Sequence, residues 1–181
     1  AWVRSTRKAL KRMKRLSFLH GRLRPITAAD LPVLYDIYAS TRAEEVALVP
    51  YWTDADKTAF LTQQFNAQHQ YYHEVYSAPD FNIIEMNNQV AGRLYLNRYS
   101  NDIRIVDIAL LPAFRGQGIG TNILQDIFEE AAAKHCKVSI HVEFNNRALN
   151  LYQRLGFQAI ELRNGVYYLM EWTPAPISTG L

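Results

Sequence analysis

Residues 106–121 read Val-Asp-Ile-Ala-Leu-Leu-Pro-Ala-Phe-Arg-Gly-Gln-Gly-Ile-Gly-Thr, and this stretch decides the fold. Its first half is an apolar run typical of a buried strand, Pro112 ends that strand, and residues 118–134 have the pattern of a helix. The three glycines between them allow positive φ and a close approach of the backbone to a ligand. The first amide groups of a helix lack internal partners and attract anions. The turn therefore predicts a pyrophosphate site, beside which Arg115 adds a fixed positive charge.

Two better-known phosphate motifs do not fit this turn. A P-loop needs Gly-Lys followed by Ser or Thr, which the chain lacks. A dinucleotide fingerprint needs G-x-G-x-x-G, whereas the glycines here stand at 116, 118 and 120 and position 121 is Thr. Glu143 does stand near the place of a ribose-binding acid, but too little chain follows it for a complete nicotinamide-cofactor fold. For the turn taken alone, a tight strand–helix connection without a ligand remains the alternative.

A second motif lies downstream, at residues 145–157: Asn-Asn-Arg-Ala-Leu-Asn-Leu-Tyr-Gln-Arg-Leu-Gly-Phe. This stretch resembles the signature N-x-x-A-x-x-x-Y-x-x-x-G-F of the GNAT acetyltransferases. Residues 115–120 resemble the pyrophosphate-binding signature of that family, R/Q-x-x-G-x-G/A. The two motifs occur in the order the family has, separated by one helix and one strand. The resemblance covers residues 22–172, and DIALLP before the turn and VYYLMEW at the end look closest to a bacterial branch.

The order of predicted elements is β-α-α-β-β-β-α-β-α-β-β, which mixes antiparallel and parallel pairing in one sheet. Hairpins are predicted around Asn87-Asn88 and Asn164-Gly165, and helices over residues 28–40, 53–76 and 145–155. The resemblance implies an α/β (α+β) fold with a mixed, mostly antiparallel central sheet and flanking helices. Two parallel strands of that sheet, at 102–111 and 137–143, are expected to splay apart.

The resemblance implies that acetyl-CoA, the acyl donor, lies between the splayed strands. The cofactor-binding residues expected from the match lie on the first of these strands, in the glycine turn and in the second motif: Ile108, Ala109, Leu110, Leu111, Arg115, Gly116, Gln117, Gly118, Ile119, Gly120, Thr121, Asn145 and Asn150. The Leu110 N–H is the expected donor to the thioester oxygen, where negative charge develops. Asn145 is expected to bind the cofactor, to cap the helix that follows, or both.

Tyr152 matches the general acid of the family, which protonates the departing CoA thiolate; the alternative is that its ring only packs in the core. Asp107 is unusual within an apolar run, so it is either the general base, often acting through water, or a structural hydrogen-bonding hub. Glu143 and Glu85 are further candidates for the base. His141 is expected to pack on a strand face. The spacing of His, Cys, Asp and Glu does not suggest a metal site.

The acceptor is expected to be a primary amine of a small molecule or a peptide, which attacks acetyl-CoA directly in a ternary complex. Arg42, Glu44, Glu45, Tyr51 and Trp52 lie between the first two predicted helices, a region that overhangs the acceptor pocket in the family. Their mixture of charged and aromatic side chains is typical of a pocket for a small cationic or amphoteric amine. It is equally typical of a solvated loop.

Charge is distributed unevenly along the 181 residues. Residues 1–24 hold nine Lys or Arg and no acid, which leaves 11 basic side chains against all 17 acids in residues 25–181, a formal charge of −6. We therefore expect a basic arm (1–21), an acetyltransferase domain (22–173) and a tail (174–181). The arm is interpreted in three ways: as a basic helix, as a segment resembling an organelle transit peptide, or as non-native sequence before a start at Met13. We expect it to be dispensable for the chemistry.

Composition limits the other classes of function. No apolar run is long enough to span a membrane, and Cys136 is the only cysteine, so the chain cannot form an internal disulfide and a cytoplasmic location is expected. Nucleic-acid binding is expected at most through the basic arm, and a homodimer is left open. Two other functions compete with an enzyme: a non-catalytic acyl-CoA-binding module, and a nucleic-acid-associated protein that uses the arm.

Overall fold

The computed structural model describes residues 13–175. Residues 1–12 of the predicted arm and 176–181 of the predicted tail lie outside the described residues. The described helices are α1 (Lys14–Phe18), α2 (Leu31–Ala47), α3 (Asp54–Val75), α4 (Ile119–Lys134) and α5 (Leu149–Arg154). The strands are β1 (Gly21–Pro25), β2 (Pro79–Met86), β3 (Gln89–Arg98), β4 (Asp102–Leu110), β5 (Lys137–Glu143), β6 (Gln158–Arg163) and β7 (Tyr167–Trp172).

The seven strands form one sheet in the order β1-β2-β3-β4-β5-β7-β6. Among the strands that the structure describes, only the pair β4–β5 is parallel, and the other neighbours are antiparallel. The two predicted hairpins are present, and Asn87, Asn88, Asn164 and Gly165 all have positive φ, as tight hairpin turns require. The predicted mixed α/β fold with a mostly antiparallel sheet is therefore confirmed.

Helices cover both faces of the sheet, and each face has its own apolar core. On one face, Ile123 and Ile127 of α4 pack against strand residues such as Ile105 and Ile140. On the other face, α2 and α3 pack against Tyr95 and its neighbours. Because side chains alternate along a strand, each residue of β4 and β5 faces either the α4 core or the α2–α3 side.

Strands β4 and β5 pair over only four positions, from Asp102 with Lys137 to Ile105 with Ile140. Tyr95 of β3 pairs with Asp107 and Leu96 with Ile105, so Val106 is the extra residue of a β-bulge in β4. A bulge bends its strand and increases the local twist. From Val106 onward β4 no longer pairs with β5. The two parallel strands therefore splay apart here, as predicted.

Two predicted helices have different bounds in the structure. The first begins as a 3₁₀ turn (Ala28–Asp30) and continues as α2 to Ala47, so residues 42–45 lie on a helix rather than between two helices. The last predicted helix, 145–155, is only Leu149–Arg154. The Asn146 side-chain oxygen accepts a hydrogen bond from the Ala148 N–H at 2.8 Å. Such a local bond competes with helix formation, and it leaves Asn145 in a turn rather than at a helix cap.

The described end of the basic arm is part of the core. Met13 and Leu16 are buried in the α4 core, and Leu16 is 0% exposed. The carboxylate of Asp126, on α4, accepts hydrogen bonds from the Arg15 and Leu16 N–H groups at 3.1 and 3.2 Å. It thereby satisfies first-turn amides of α1 that have no partner within the helix. Two apolar side chains among the basic residues thus anchor α1 on the core, and the domain boundary after residue 21 stays a prediction.

We expect Leu16→Ala to destabilise the protein by about 2 kcal/mol, the low end for removing a buried Leu side chain, because a short terminal helix can shift to fill part of the cavity. Chemical denaturation would measure the change in the free energy of unfolding. Phe18→Ala is the matched control in the same helix, since Phe18 is 89% exposed. Equal stability of the two variants would show that α1 does not contribute to the core.

Candidate active site

A cleft of about 960 Å³ opens where β4 and β5 diverge. Its walls come from both divergent strands, from α2 and α3, from the glycine turn and from the start of α5. Most of the residues predicted to bind a cofactor or act in catalysis line it: Asp107, Ile108, Ala109, Leu110, Arg115, Gly116, Gly118, Ile119, Gly120, Thr121, Asn145 and Tyr152. Residues from two distant segments of the sequence therefore meet in one cleft.

Three predicted cofactor residues do not line the cleft. Leu111 turns towards β3, where its N–H donates to the Ala91 carbonyl at 2.8 Å. The Gln117 amide folds back to donate to the Ala113 carbonyl at 2.7 Å. Asn150 is exposed on α5, because that helix turns Tyr152 rather than Asn150 towards the cleft.

Two backbone N–H groups of β4 point into the gap between the strands. Because successive residues of a strand direct their N–H and C=O groups to opposite sides, and Leu111 bonds to β3, Leu110 and Ile108 face the gap. The Leu110 carbonyl confirms this direction, since it accepts a hydrogen bond from the Arg115 Nε at 2.8 Å. The Leu110 N–H is therefore directed towards the gap, and its role as a donor to a ligand oxygen stays a prediction.

The glycine turn leaves the start of α4 open. Gly116 and Gly118 have φ of 72° and 77°, in the left-handed region that favours glycine, and α4 begins at Ile119. A Cβ added to Gly120 would meet no atom within 4 Å. The Arg115 guanidinium lies beside the turn and also bonds to the Ser40 hydroxyl of α2 at 3.0 Å. Free amides, a helix N-terminus and an arginine thus surround one open space suited to phosphate oxygens.

Tyr152 lines the cleft from α5. It is buried, and its ring packs edge-on against Phe157 at 5.6 Å between centroids. Its hydroxyl has no hydrogen-bond partner among residues 13–175, although it borders the cleft. Burial, and then the charge of Asp107, raise the pKa of Tyr152, so the phenol keeps its proton at neutral pH. It can therefore donate a proton to a group bound in the gap.

Asp107 is held by a buried polar cluster. Its carboxylate accepts a hydrogen bond from Arg93 Nη2 at 2.8 Å and from the Tyr72 hydroxyl at 3.3 Å. Arg93 also donates to Gln68 Oε1 at 2.8 Å, and it is 2% exposed. Neither Arg93 nor Tyr72 was predicted as a site residue. A charged residue within the apolar strand 89–97 was the one signal in the sequence that could have indicated Arg93.

Ion pairs on one side of the cleft lie within α2 and join α2 to the end of β5 and to the turn that follows it. Arg42 bonds to Glu45 at 2.7 Å and to Glu143 at 3.2 Å, and Glu44 pairs with Arg147 at 3.2 Å. Two residues predicted for the acceptor pocket do not line the cleft: Tyr51 is 80% exposed, and Trp52 packs against Phe60.

The structure also shows where two other candidates for the general base, His141 and Glu85, lie. His141 lines the cleft and is exposed, so it is not the packing residue that we expected. Neighbouring atoms partly desolvate the ring and lower the pKa of His141, and the charges of Arg104 and Arg163 lower it further. Glu85 lies outside the cleft lining, because it pairs with β1 and is bound by Arg22 and Arg24.

Residues 13–175 lack two features, a metal-binding cluster and a membrane-spanning helix. No group of three or more His, Cys, Asp and Glu side chains there could hold a metal ion. No helix in this part of the chain is both long and apolar enough to cross a membrane.

Comparison with known proteins places this cleft in a family context. The model of the acetyltransferase (GNAT) family matches residues 35–157. A ribosomal protein bS18-alanine N-acetyltransferase from Haemophilus influenzae is 26% identical over 143 residues, which cover 78% of this chain and 84% of that protein. A thialysine N-epsilon-acetyltransferase from Mus musculus is 33% identical over 75 residues, 40% of this chain; that match spans less than half of the mouse protein, 44% of its length.

A solved structure gives the same result for the fold. The PaiA N-acetyltransferase from Thermoplasma acidophilum, in complex with coenzyme A, aligns with a TM-score of 0.64 and 16% identity. The alignment covers 85% of this chain and 99% of that one.

Proposed function

The chain belongs to the acetyltransferase (GNAT) family, and we propose that it transfers an acetyl group from acetyl-CoA to a primary amine of a small molecule or a peptide. One observation carries the proposal: Leu110, the glycine turn before α4 and Tyr152 all line one cleft. The names of the two relatives support the choice of acceptor, since both describe acetyl transfer to nitrogen.

The residues of the cleft fit acetyl-CoA. Gly116, Gly118 and Gly120 at the N-terminus of α4 offer free amide groups to a pyrophosphate, and Arg115 offers a positive charge. The backbone groups of Ile108 and Leu110 can bind an extended ligand that contains amides. Such a ligand would pair with β4 as an additional strand does in the gap between β4 and β5. Acetyl-CoA supplies the activated acyl group as a thioester.

Three parts of the chain then act on the reaction. The Leu110 N–H stabilises the negative charge that develops on the thioester oxygen during attack by the amine. Tyr152 donates its proton to the departing thiolate sulfur. A protonated amine must lose a proton before it attacks, and His141 and Glu143 are proton acceptors that line the cleft. The amine attacks directly while both substrates are bound.

Asp107 is less suited to the role of base than to that of a hub. To accept a proton it would give up its ion pair with Arg93, whose guanidinium would then be buried without a counter-charge. Its hydrogen bonds with Arg93 and Tyr72 instead fix the wall of the cleft opposite Tyr152.

The first test is transfer itself. Purified protein, acetyl-CoA and a panel of primary amines and short peptides should release free CoA thiol in proportion to acetylated product. A non-catalytic acyl-CoA-binding module would bind acetyl-CoA, measured by calorimetric titration, and release no thiol above the rate of hydrolysis.

The pyrophosphate site can be tested at Gly120 by comparing a charged side chain with an uncharged one of nearly the same shape. We expect Gly120→Asp to weaken acetyl-CoA binding at least about tenfold, because a carboxylate in the first turn of α4 repels the phosphates. The same carboxylate favours the helix dipole, so the melting temperature should not fall. The structure has room for the side chain.

Gly120→Asn is the control, since it has nearly the same shape without the charge. Calorimetric titration with acetyl-CoA at low and high salt would separate the charge effect, which salt weakens. If the Asp and Asn variants bound acetyl-CoA equally well, the pyrophosphate could not lie at the start of α4.

A further inference from the structure

Strand β6 forms one edge of the sheet, on the side of the molecule away from the cleft between β4 and β5. Among residues 13–175, β7 is the only strand that pairs with it. All six residues of β6 are exposed, and the apolar side chains of Ile160 and Leu162 are each about half exposed. An exposed edge strand with apolar side chains is a template for the addition of another strand.

The backbone of Leu162 points away from the sheet. The Arg163 carbonyl accepts a hydrogen bond from the Val166 N–H at 3.1 Å, in the turn that leads into β7, so the backbone groups of Arg163 face β7. Because successive residues of a strand direct these groups to opposite sides, the Leu162 N–H and C=O face the open edge. In a two-fold antiparallel pairing, Leu162 of each copy can therefore bond to Leu162 of the other.

The side chains on either side of Leu162 carry opposite charges. Glu161 and Arg163 lie on the same face of β6, where the Arg163 Nε donates to Glu161 Oε2 at 3.1 Å. In an antiparallel pairing centred on Leu162, Glu161 of each copy lies opposite Arg163 of the other, and opposite charges in this position stabilise a pair of strands. A pairing centred on Glu161 would instead place two carboxylates opposite each other.

The other edge of the described sheet, β1, does not allow the equivalent pairing. Its residues 21–25 read Gly-Arg-Leu-Arg-Pro. A pairing centred on Leu23 would place Arg22 of one copy opposite Arg24 of the other, and like charges directly opposite destabilise a pair of strands. Pro25 also lacks an N–H, which limits the ladder at that end. The complementary charge pattern is therefore a property of β6 and not of both edges.

We propose that the β6 edge is an interface for a second copy of this chain, whose own β6 pairs with it antiparallel about a two-fold axis at Leu162. The two seven-stranded sheets then join into one. The contact is isologous, so it closes at two copies and does not extend into a filament. The β-bulge between Ala159 and Glu161 limits the regular ladder to a few residues. The dimer is accordingly weak, with a dissociation constant of about 0.1 mM.

The test is sedimentation equilibrium of the full chain, from about tenfold below to about tenfold above that constant, where the mass should rise from monomer to dimer. Glu161→Arg should raise the dissociation constant at least about tenfold, because it places arginines opposite each other, and Arg163→Glu should do the same with carboxylates. The double variant Glu161→Arg/Arg163→Glu exchanges the charges and should return the constant to within about threefold of the wild-type value. Melting temperatures of the same samples show that each variant is folded.

A monomer at every concentration would overturn the proposal, since the β6 edge would then not bind a second copy. Growth of the mass beyond a dimer would also overturn it, because an isologous contact closes at two copies. If either single variant dimerised like the wild type, or if the double variant stayed monomeric, the two copies would have to meet on a surface other than β6.

Discussion

Tyr152→Phe should lower the kcat of acetyl transfer by about 10- to 10³-fold, the usual range for one acid–base group. The variant keeps the ring that packs against Phe157 and removes only the hydroxyl, which makes no hydrogen bond among residues 13–175. Stability and acetyl-CoA affinity should therefore change little. The departing thiolate would have to leave without its proton donor, so the loss should fall on kcat and not on the binding of either substrate.

Single-turnover kinetics would measure this effect on the chemical step, free of product release. Tyr167→Phe is the matched control, because Tyr167 also lines the cleft but is 41% exposed on β7 and has no proposed part in proton transfer. The control should react at close to the wild-type rate. If Tyr152→Phe did so as well, the packing of its ring would be the whole role of Tyr152.

The sequence predicted the parts of the site that depend on local pattern. Glycines before a helix, and a tyrosine at a fixed place in the second motif, indicated Gly118, Gly120 and Tyr152, and all three line the cleft. The orientation of Leu110 also followed, because it depends only on strand alternation and on the neighbouring strand. The hairpins formed as predicted, since Asn and Gly accept the positive φ that such turns need.

The parts that could not be predicted depend on contacts between distant residues. Arg93 meets Asp107 only because of the β3–β4 register, and Tyr72 reaches the same carboxylate from α3, 35 residues earlier in the chain. The anchoring of Leu16 depends on Asp126, 110 residues away. Charge along residues 1–24 suggested a detached arm, because a count of charges does not show which apolar side chains between them find a core.

The buried pair of Arg93 and Asp107 is the second place where a large effect is expected. Asp107→Asn should destabilise the protein by about 3 kcal/mol, the low end for breaking a buried ion pair, since the cleft gives water some access to this side. Asn retains a hydrogen-bonding oxygen but leaves the Arg93 guanidinium without a counter-charge. Chemical denaturation would give the change in the free energy of unfolding.

The double variant Arg93→Met/Asp107→Asn tests the cause of that loss. It removes the buried charge as well, so it should be more stable than Asp107→Asn alone, and a double-mutant cycle would measure the coupling. The same Asp107→Asn protein, assayed at a temperature where it is folded, separates the two roles of Asp107. If Asp107 is only a structural hub, the pH profile of kcat/KM should have the same shape in Asp107→Asn as in the wild type. Loss of the acidic limb of that profile at unchanged stability would instead make Asp107 the base.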